Sequence, residues 1–342
     1  MTMNHYLNGY RDAKGSQVKE LAQISQVAHM YYNLNMLQSE IADKLFFSRS
    51  KVSRMLDKAR ELGVVEIKIR RIFDRAASVE ENLKASFGLK EAIVITTYDE
   101  NQDELFDTIT DFAAAYVSNC IKGDCTVGIT RGKTIIGLVN KLVKLNECNV
   151  RVAQLMGAAG DPNTSAESRE LVNKVSQIYS GTSYYLNVPL YVDDLYAKEI
   201  LLKDPVLQKT FQVMQQCDIV LTGLGGFNAE TVNSLEAANN WFEYLAEKHI
   251  LELRNKGAVG SICAQFFDID GKHIACEWNK KCIGMPFEHI KDSSLTIGIV
   301  SGPEKTMPLL GALRGRLLDV VVTDINTVLN VLEIQKAMNQ NA

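Results

Sequence analysis

Apolar residues in the first seventy positions recur at helical spacing in three separate runs. Leu21, Ile24, Val27, Ala28 and Tyr31 share one face of a helix predicted from Val18 to about Asn33. Ile41, Ala42 and Leu45 mark a second, short helix over Gln38–Phe46. Val52, Met55, Leu56, Ala59 and Leu62 form the stripe of a third over Arg49–Leu62, with Ser48 as its N-cap and Gly63 just past its end. The segment Val64–Arg70 then switches to strict alternation, the period of a strand. Residues 1–17 are polar, contain Gly9 and Gly15, and are expected to be a disordered tail. From Asp74 the spacing of Val79, Leu83 and Phe87 predicts another helix, stopped by Gly88; we read 74–90 as a linker.

Beyond Glu91 the pattern changes again. Short apolar runs at Ala92–Ile95, Thr126–Thr130, Val150–Leu155, Ile219–Thr222, Ala258–Ile262, Leu295–Ile299 and Val320–Thr323 predict strands. Amphipathic stretches lie between them, among them Asp103–Ile121, Thr134–Lys144, Ala166–Tyr179, Glu304–Arg316 and Ile325–Met338. Such alternation predicts an α/β domain over 91–342, doubly wound around a mostly parallel sheet. The small unit ahead of it, 18–73, reads as an all-α winged helix-turn-helix. No internal repeat of solenoid period is present.

Composition narrows the functional classes. The chain has 342 residues, 46% hydrophobic and 23% charged, enough for a sizeable core. No apolar run is long enough to span a bilayer, and Met1–Lys19 lacks the apolar region of a secretory signal, so a cytoplasmic location is expected. Seven cysteines, without a CxxC pair, and five histidines, without HxxxH spacing, argue against a disulfide framework or a zinc site. No metal or cofactor is expected. The net charge of −4 is unevenly spread: residues 1–73 hold 12 Lys+Arg and 7 Asp+Glu, the remainder 25 and 34. A basic small end on an acidic body suits an anionic partner at the N-terminus.

That partner is read as double-stranded operator DNA. A helix-turn-helix presents the first turns of its second helix to the major groove. Arg49, Ser50, Lys51 and Arg54 stand on the outward face there, flanked by Gln38, Ser48 and Ser53. Arg and Lys donate to guanine edges or phosphates, and Ser bonds to either. Lys68 and Arg70, with Arg71, suit a wing along the backbone. An amphipathic helix pair with a solvated basic face is the bland alternative. Cap, spacing, basic face and following strand agree on the sharper one. Two-fold half-sites in DNA further predict a homo-oligomer, dimer or tetramer.

In doubly wound sheets ligands bind at the carboxyl ends of strands. Four such ends carry chemistry. Thr130–Arg131–Gly132–Lys133–Thr134 opens a helix with hydroxyls, cations and a glycine, an anion-binding arrangement, though it is not a Walker A loop. Thr222–Gly223–Leu224–Gly225–Gly226 leaves backbone amides exposed but lacks the GxGxxG pattern of dinucleotide sites. Gly257–Ile262, with Ser261, leads to Gln265. Ser301–Lys305 places Lys305 in a first helical turn, where the macrodipole favours an acid, unless an anion lies nearby. The ordinary alternatives are a polar turn, a packing glycine and a solvated lysine.

Both halves resemble one family. LQSEIADKLFFSRSKVSRMLDKARELGVVEIKI, from Leu37 to Ile69, is similar to the winged helix-turn-helix of SorC-family bacterial regulators, QxEIAxxLxxSRxxVSRxLxxAxxxGxVxI. Phe46 departs from the glycine that many such turns carry. VGITRGKTI, VAQLMGAAG, GAVGSICAQFFDIDG and VSGPEKTMPLLGALRGRLLDVVVTD resemble the family's VGVSWGxT, VVQLxGG, GAVGDIxxxFFDxxG and AGGxxKxxAILAALRGGxxxVLVTD. The resemblance implies a NagB-like effector domain, an oligomer, usually a tetramer, and DNA affinity controlled by a phosphorylated sugar or related metabolite. It carries the effector role to Thr130, Gly132, Thr134, Gly225, Ser261 and Lys305. Arg131, Lys133, Gly223, Gly226 and Gln265 join them by position. Ser261 stands where the family usually has Asp, and Arg131 where it often has Trp; both changes favour an anionic effector.

Two rival functions remain open at this point. One is a sugar-phosphate isomerase or deaminase of the same fold, for which Asp268, Glu304 or Asp324 could supply a carboxylate, although no histidine falls at the strand ends. The other is a DNA-binding scaffold whose large domain only oligomerises.

Overall fold

The structure, a computed structural model, describes residues 15–65, 74–96, 102–158, 162–227 and 245–340. The expected wing, with Lys68 and Arg70, and most of the polar tail lie outside them. The chain divides into two compact units, Met1–Ile72 and Phe73–Ala342.

The first unit holds three helices: α1 (Gly15–Tyr32), α2 (Gln38–Leu45) and α3 (Arg49–Glu61). The stripes read from the sequence close on one another: Ile24, Val27 and Ala28 meet Ile41, Ala42, Val52, Met55, Leu56 and Ala59, all buried. Two expectations shift. The first helix begins at Gly15, inside the expected tail, and Leu62 is exposed because the helix has already ended and Leu62 caps it. Gly63 follows at φ +70°, the left-handed conformation expected past a helix end.

The second unit is α/β. In chain order it comprises α4 (Ala77–Phe87), β1 (Glu91–Ile95), α5 (Gln102–Cys120), β2 (Gly123–Ile129), α6 (Lys133–Lys141), β3 (Cys148–Gln154), α7 (Pro162–Tyr179), β4 (Thr182–Tyr184), α8 (Leu195–Leu202), α9 (Pro205–Met214), β5 (Ile219–Thr222) and β6 (Gly225–Gly226). Then follow α10 (Glu247–Asn255), β7 (Ala258–Ile262), β8 (Gln265–Asp268), α11 (Glu277–Lys281), α12 (Phe287–Asp292), β9 (Leu295–Ile299), α13 (Thr306–Arg314), β10 (Val320–Asp324) and α14 (Ile325–Gln340). Seven strands form one sheet in the order β1-β10-β9-β5-β2-β3-β4, every pair parallel.

Strand periodicity explains why these strands read as unbroken apolar runs. Successive side chains leave opposite faces, and both faces are covered by helices. On β1, Ala92 and Val94 enter one core while Ile93 and Ile95 enter the other. Val321 parts from Val320 and Val322 on β10 in the same way. Helices α5, α6 and α7 supply Ile109, Val117, Ile135, Leu138 and Val175 to one face. The opposite core takes Leu83 and Phe87 of α4, Leu207 of α9, Leu309 of α13 and Val328 of α14.

Two readings are corrected here. Ala258–Ile262 is a strand, but not of the parallel sheet: β6, β7 and β8 form a small antiparallel sheet of their own. The helix read as a linker drives Leu83, fully buried, into the core of the second unit, so it is part of that unit. Its bound acid confirms the attachment. Buried Glu80 accepts from two guanidinium nitrogens of Arg75, Nε and Nη2, at 2.9 Å and from the Val94 amide of β1 at 2.8 Å.

Candidate nucleic-acid interface and effector site

In the first unit the turn between α2 and α3 is built by backbone bonds. Phe47 N–H donates to the Ala42 carbonyl at 2.9 Å, while Phe46 sits in the left-handed region at φ 54°, ψ 42°. Ser48 caps α3, its hydroxyl accepting from the Lys51 amide at 3.2 Å and lying 3.1 Å from the Ser50 hydroxyl. That side chain is therefore committed to the cap. Arg49, Ser50, Lys51 and Arg54 are exposed, whereas Gln38 and Ser53 are half-buried. Arg54 is steadied by the Ser50 carbonyl at 3.3 Å, and the Lys51 ammonium stands 3.7 Å from the centre of the Phe47 ring.

Charge pairing divides α3 in two. Towards its C-terminal end Lys58 pairs with Glu20 at 2.6 Å, and Arg60 pairs with Asp57. Towards its N-terminal end the first turn has no acid, and among the described residues no carboxylate pairs with Arg49, Lys51 or Arg54. Unpaired cations and a helix N-terminus together make an anion-facing surface.

In the second unit the strand order reverses between β2 and β5: the chain runs outward from β2 to β3 and β4, then returns to β5, β9 and β10 on the other side. Ligands of open parallel sheets bind outside such a switch point. Thr130 ties the two strands there, its amide donating to the Leu221 carbonyl at 3.1 Å and its hydroxyl at 3.3 Å. Gly132 precedes α6 at φ 149°, with no side-chain cap over the first amides of the helix. Gly223 approaches so closely that a Cβ there would stand 3.0 Å from the Thr134 hydroxyl.

The next two glycines bring in the remaining groups. Gly225 pairs with Ser261 and Gly226 with Gly260, which sets buried Ser261 against the glycine strand. A Cβ on Gly226 would meet the Glu304 carbonyl at 3.0 Å and the Lys305 ammonium at 3.9 Å. Lys305 lies in a short 3-10 turn, Pro303–Lys305, and α13 starts only at Thr306. The lysine is half-buried, and among the described residues nothing hydrogen-bonds or ion-pairs with its ammonium. Burial holds its pKa below the usual lysine value, against a weaker pull upward from Glu304.

The structure thus gathers Thr130, Gly132, Thr134, Gly223, Gly225, Gly226, Ser261 and Lys305 around one switch point. Three expected residues point elsewhere. Arg131 donates to Glu167 of α7 at 2.7 Å. Lys133 is exposed, its ammonium 4.8 Å from the centre of the Phe106 ring of α5. Gln265 is buried, gives its amide to the Met285 carbonyl, and lines a separate cavity of about 340 Å³ with Lys198, Gln208 and Phe211.

Two of the three candidate carboxylates have other work, and the third is exposed. Asp268 accepts from the amides of Asp270 and Lys272 in a turn, at 3.0 and 2.9 Å. Glu304 is exposed. Buried Asp324, at the end of β10, caps α14 through the Thr327 amide at 2.8 Å and holds the Gly302 amide at 3.0 Å.

Residues 71–333 match the family described as "Putative sugar-binding domain". The chain belongs to that family. It is 27% identical over 310 residues to the deoxyribonucleoside regulator of Bacillus subtilis, a match covering 90% of this chain and 97% of the relative. It is 25% identical over 308 residues to the sorbitol operon regulator of Klebsiella pneumoniae, covering 89% and 95%. The crystal structure of the full-length sorbitol operon regulator SorC from Klebsiella pneumoniae shares the fold, with a TM-score of 0.70 at 24% identity over 94% of this chain and 100% of that one. The resemblance to the SorC family therefore holds, and the chain is a transcriptional regulator. Relatives across nearly its whole length are named as regulators, which displaces the enzyme reading. Among the described residues no helix of this SorC-family regulator is long and apolar enough to cross a membrane.

Sequence reasoning passed over two anchors of the regulator's strand-end site. Asp324 with Thr327 three residues on is a helix-capping signature directly after a strand, and would have marked the clamp on the Gly302 loop. Glu167 left no such signal: it lies 36 positions from Arg131, and only the packing of α7 against β3 and α6 brings them together.

Proposed function

We propose that this regulator reads a two-fold operator through α3 and that its DNA affinity is set by a phosphorylated sugar bound at the β2/β5 switch point. One observation carries the effector half: the half-buried, unpartnered ammonium of Lys305, beside glycine backbone and near the uncapped start of α6. A buried cation without a partner is costly, and an anion relieves that cost. Thr130, Thr134 and Ser261 add hydroxyls for the phosphate and the sugar. The names of the relatives refer to a sorbitol operon and to deoxyribonucleosides, chemistry compatible with a small polyol or sugar ligand.

The DNA half rests on the unpaired cations of Arg49, Lys51 and Arg54. The wing residues Lys68 and Arg70, which the structure does not describe, are proposed as backbone contacts on sequence grounds.

The test is calorimetric titration of the wild-type chain and Lys305→Met with matched phosphorylated and free sugars. Phosphorylated sugars bind the wild type. Lys305→Met loses on the order of 1.5–3 kcal/mol of that affinity, the worth of a charge-assisted bond. Equal binding of free and phosphorylated sugars, or normal binding by the variant, refutes the phosphate site.

A further inference from the structure

Phe46 is 95% exposed, more than any other large apolar side chain among the described residues. It also holds φ 54° and ψ 42°, a conformation that glycine or asparagine adopts at lower cost than phenylalanine. The residue thus carries two penalties at one position, and among the described residues no hydrogen bond, ring stacking or cation contact of its side chain offsets them. Its neighbour Phe47 is accounted for, half-buried and covered by Lys51. Phe46 lies two positions before the N-cap of α3, beside Ser48, Arg49 and Lys51, on the approach to the surface whose cations lack carboxylate partners.

We propose that the Phe46 ring is an apolar contact with duplex DNA. It seats on carbon at the margin of the major groove when α3 enters it. Duplex DNA offers apolar carbon there in two forms, the 5-methyl group of thymine and the faces of the deoxyribose ring. The inference rests on the DNA-reading role of α3. Placing the ring at the turn brings it to the groove edge without occupying the base-reading positions of the helix. A second copy of the chain is the competing occupant, and the experiment below separates the two.

The full-length chain and its Phe46→Gly, Phe46→Leu and Arg54→Ala variants are compared on a duplex selected by the wild type from a randomised pool. Phe46→Gly melts at the same or a higher temperature and binds roughly three- to tenfold more weakly, as loss of one apolar contact requires. Phe46→Leu, which keeps apolar area, recovers part of the affinity. A duplex carrying uracil for thymine distinguishes the carbon touched: the defect of Phe46→Gly vanishes on it for a methyl contact and persists for a deoxyribose contact. Unchanged affinity of Phe46→Gly, with Arg54→Ala weakened, overturns this proposal alone. Unchanged affinity of both also removes the DNA role of α3. A lower melting temperature shows that Phe46 packs within the unit and overturns it. So does a fall in sedimentation coefficient that accounts for the lost affinity, which makes Phe46 a subunit contact.

Discussion

A lysine with a depressed proton affinity and no partner constrains what Lys305 can do. Burial lowers its pKa below the ordinary 10.5, so the unfolded chain holds the proton more tightly than the folded one. Between the two values the unfolded state binds more protons, and stability of the ligand-free regulator rises with pH across that window. Lys305→Met removes the charge, flattens that rise and raises the melting temperature at neutral pH; a pH series of thermal melts reads both. A bound phosphate reverses the effect by favouring the ammonium. Between the lowered value and 10.5, binding therefore takes up protons, seen as a binding enthalpy that depends on the ionisation heat of the buffer. A phosphorylated sugar that binds with no proton uptake up to pH 10 counts against contact with Lys305. At the other unit, Arg54→Ala costs about 1–3 kcal/mol of operator affinity for a bidentate base contact. Ser48→Ala acts differently, because its hydroxyl is spent on the Lys51 amide. It lowers stability by about 0.5–2 kcal/mol through the lost cap, which chemical denaturation measures directly.

At the level of elements, α7 holds Arg131 away from the strand-end site through an ion pair with Glu167 at 2.7 Å. The carboxylate competes with any anion for that guanidinium. Glu167→Gln therefore tightens phosphorylated sugars by about two- to fivefold, the scale of a partly exposed pair, and leaves free sugars unchanged in the same titration. Helix α4 gives a second test. Since Leu83 is fully buried, Leu83→Ala destabilises the second unit by about 2–5 kcal/mol, whereas a linker helix would tolerate the change. These two elements also show where sequence reading stops. Helices α2 and α3 were legible to within a residue, α2 from its period alone and α3 because period, N-cap Ser48 and following Gly63 mark the same bounds. β5, β7 and β9 were legible as apolar runs with the bounds the structure shows. The small sheet was not. Its hairpin turns on Cys263 and Ala264, both at positive φ, where Asn-Gly would have announced it. Its third strand, Gly225–Gly226, has no side chains to carry a pattern. That hidden hairpin is also why Gln265 was expected at the site. Strand partners lie on one sheet, yet Ser261 faces the glycine strand while Gln265 donates to Met285. Helix α8 was missed because none of its residues is buried, so no apolar stripe sets its period, although Asp194 caps it.

On the scale of the whole molecule, the two units must exchange free energy for the regulator to respond. A sugar changes DNA affinity only through a preference for one state of the chain over another, since a ligand that binds both states equally shifts nothing. The expected states are two arrangements of an oligomer, because a two-fold operator calls for at least two copies of α3. Sedimentation at micromolar concentration accordingly gives a dimer or larger, with or without DNA. Linkage then fixes a quantity that does not depend on the route between the units. If the sugar alters operator affinity by some factor, the operator alters sugar affinity by the same factor, about 5–150-fold for coupling of roughly 1–3 kcal/mol. Glu167→Gln, which changes sugar affinity at the site itself, moves the sugar concentration needed for the switch while leaving that factor near its wild-type value. Phe46→Gly shifts both DNA affinities together and also spares the factor. Measuring all four equilibria, sugar with and without operator and operator with and without sugar, closes the cycle. A sugar that binds the switch point tightly yet leaves operator affinity unmoved makes the large unit a ligand-binding body without control over DNA, and the proposed regulation fails at that step.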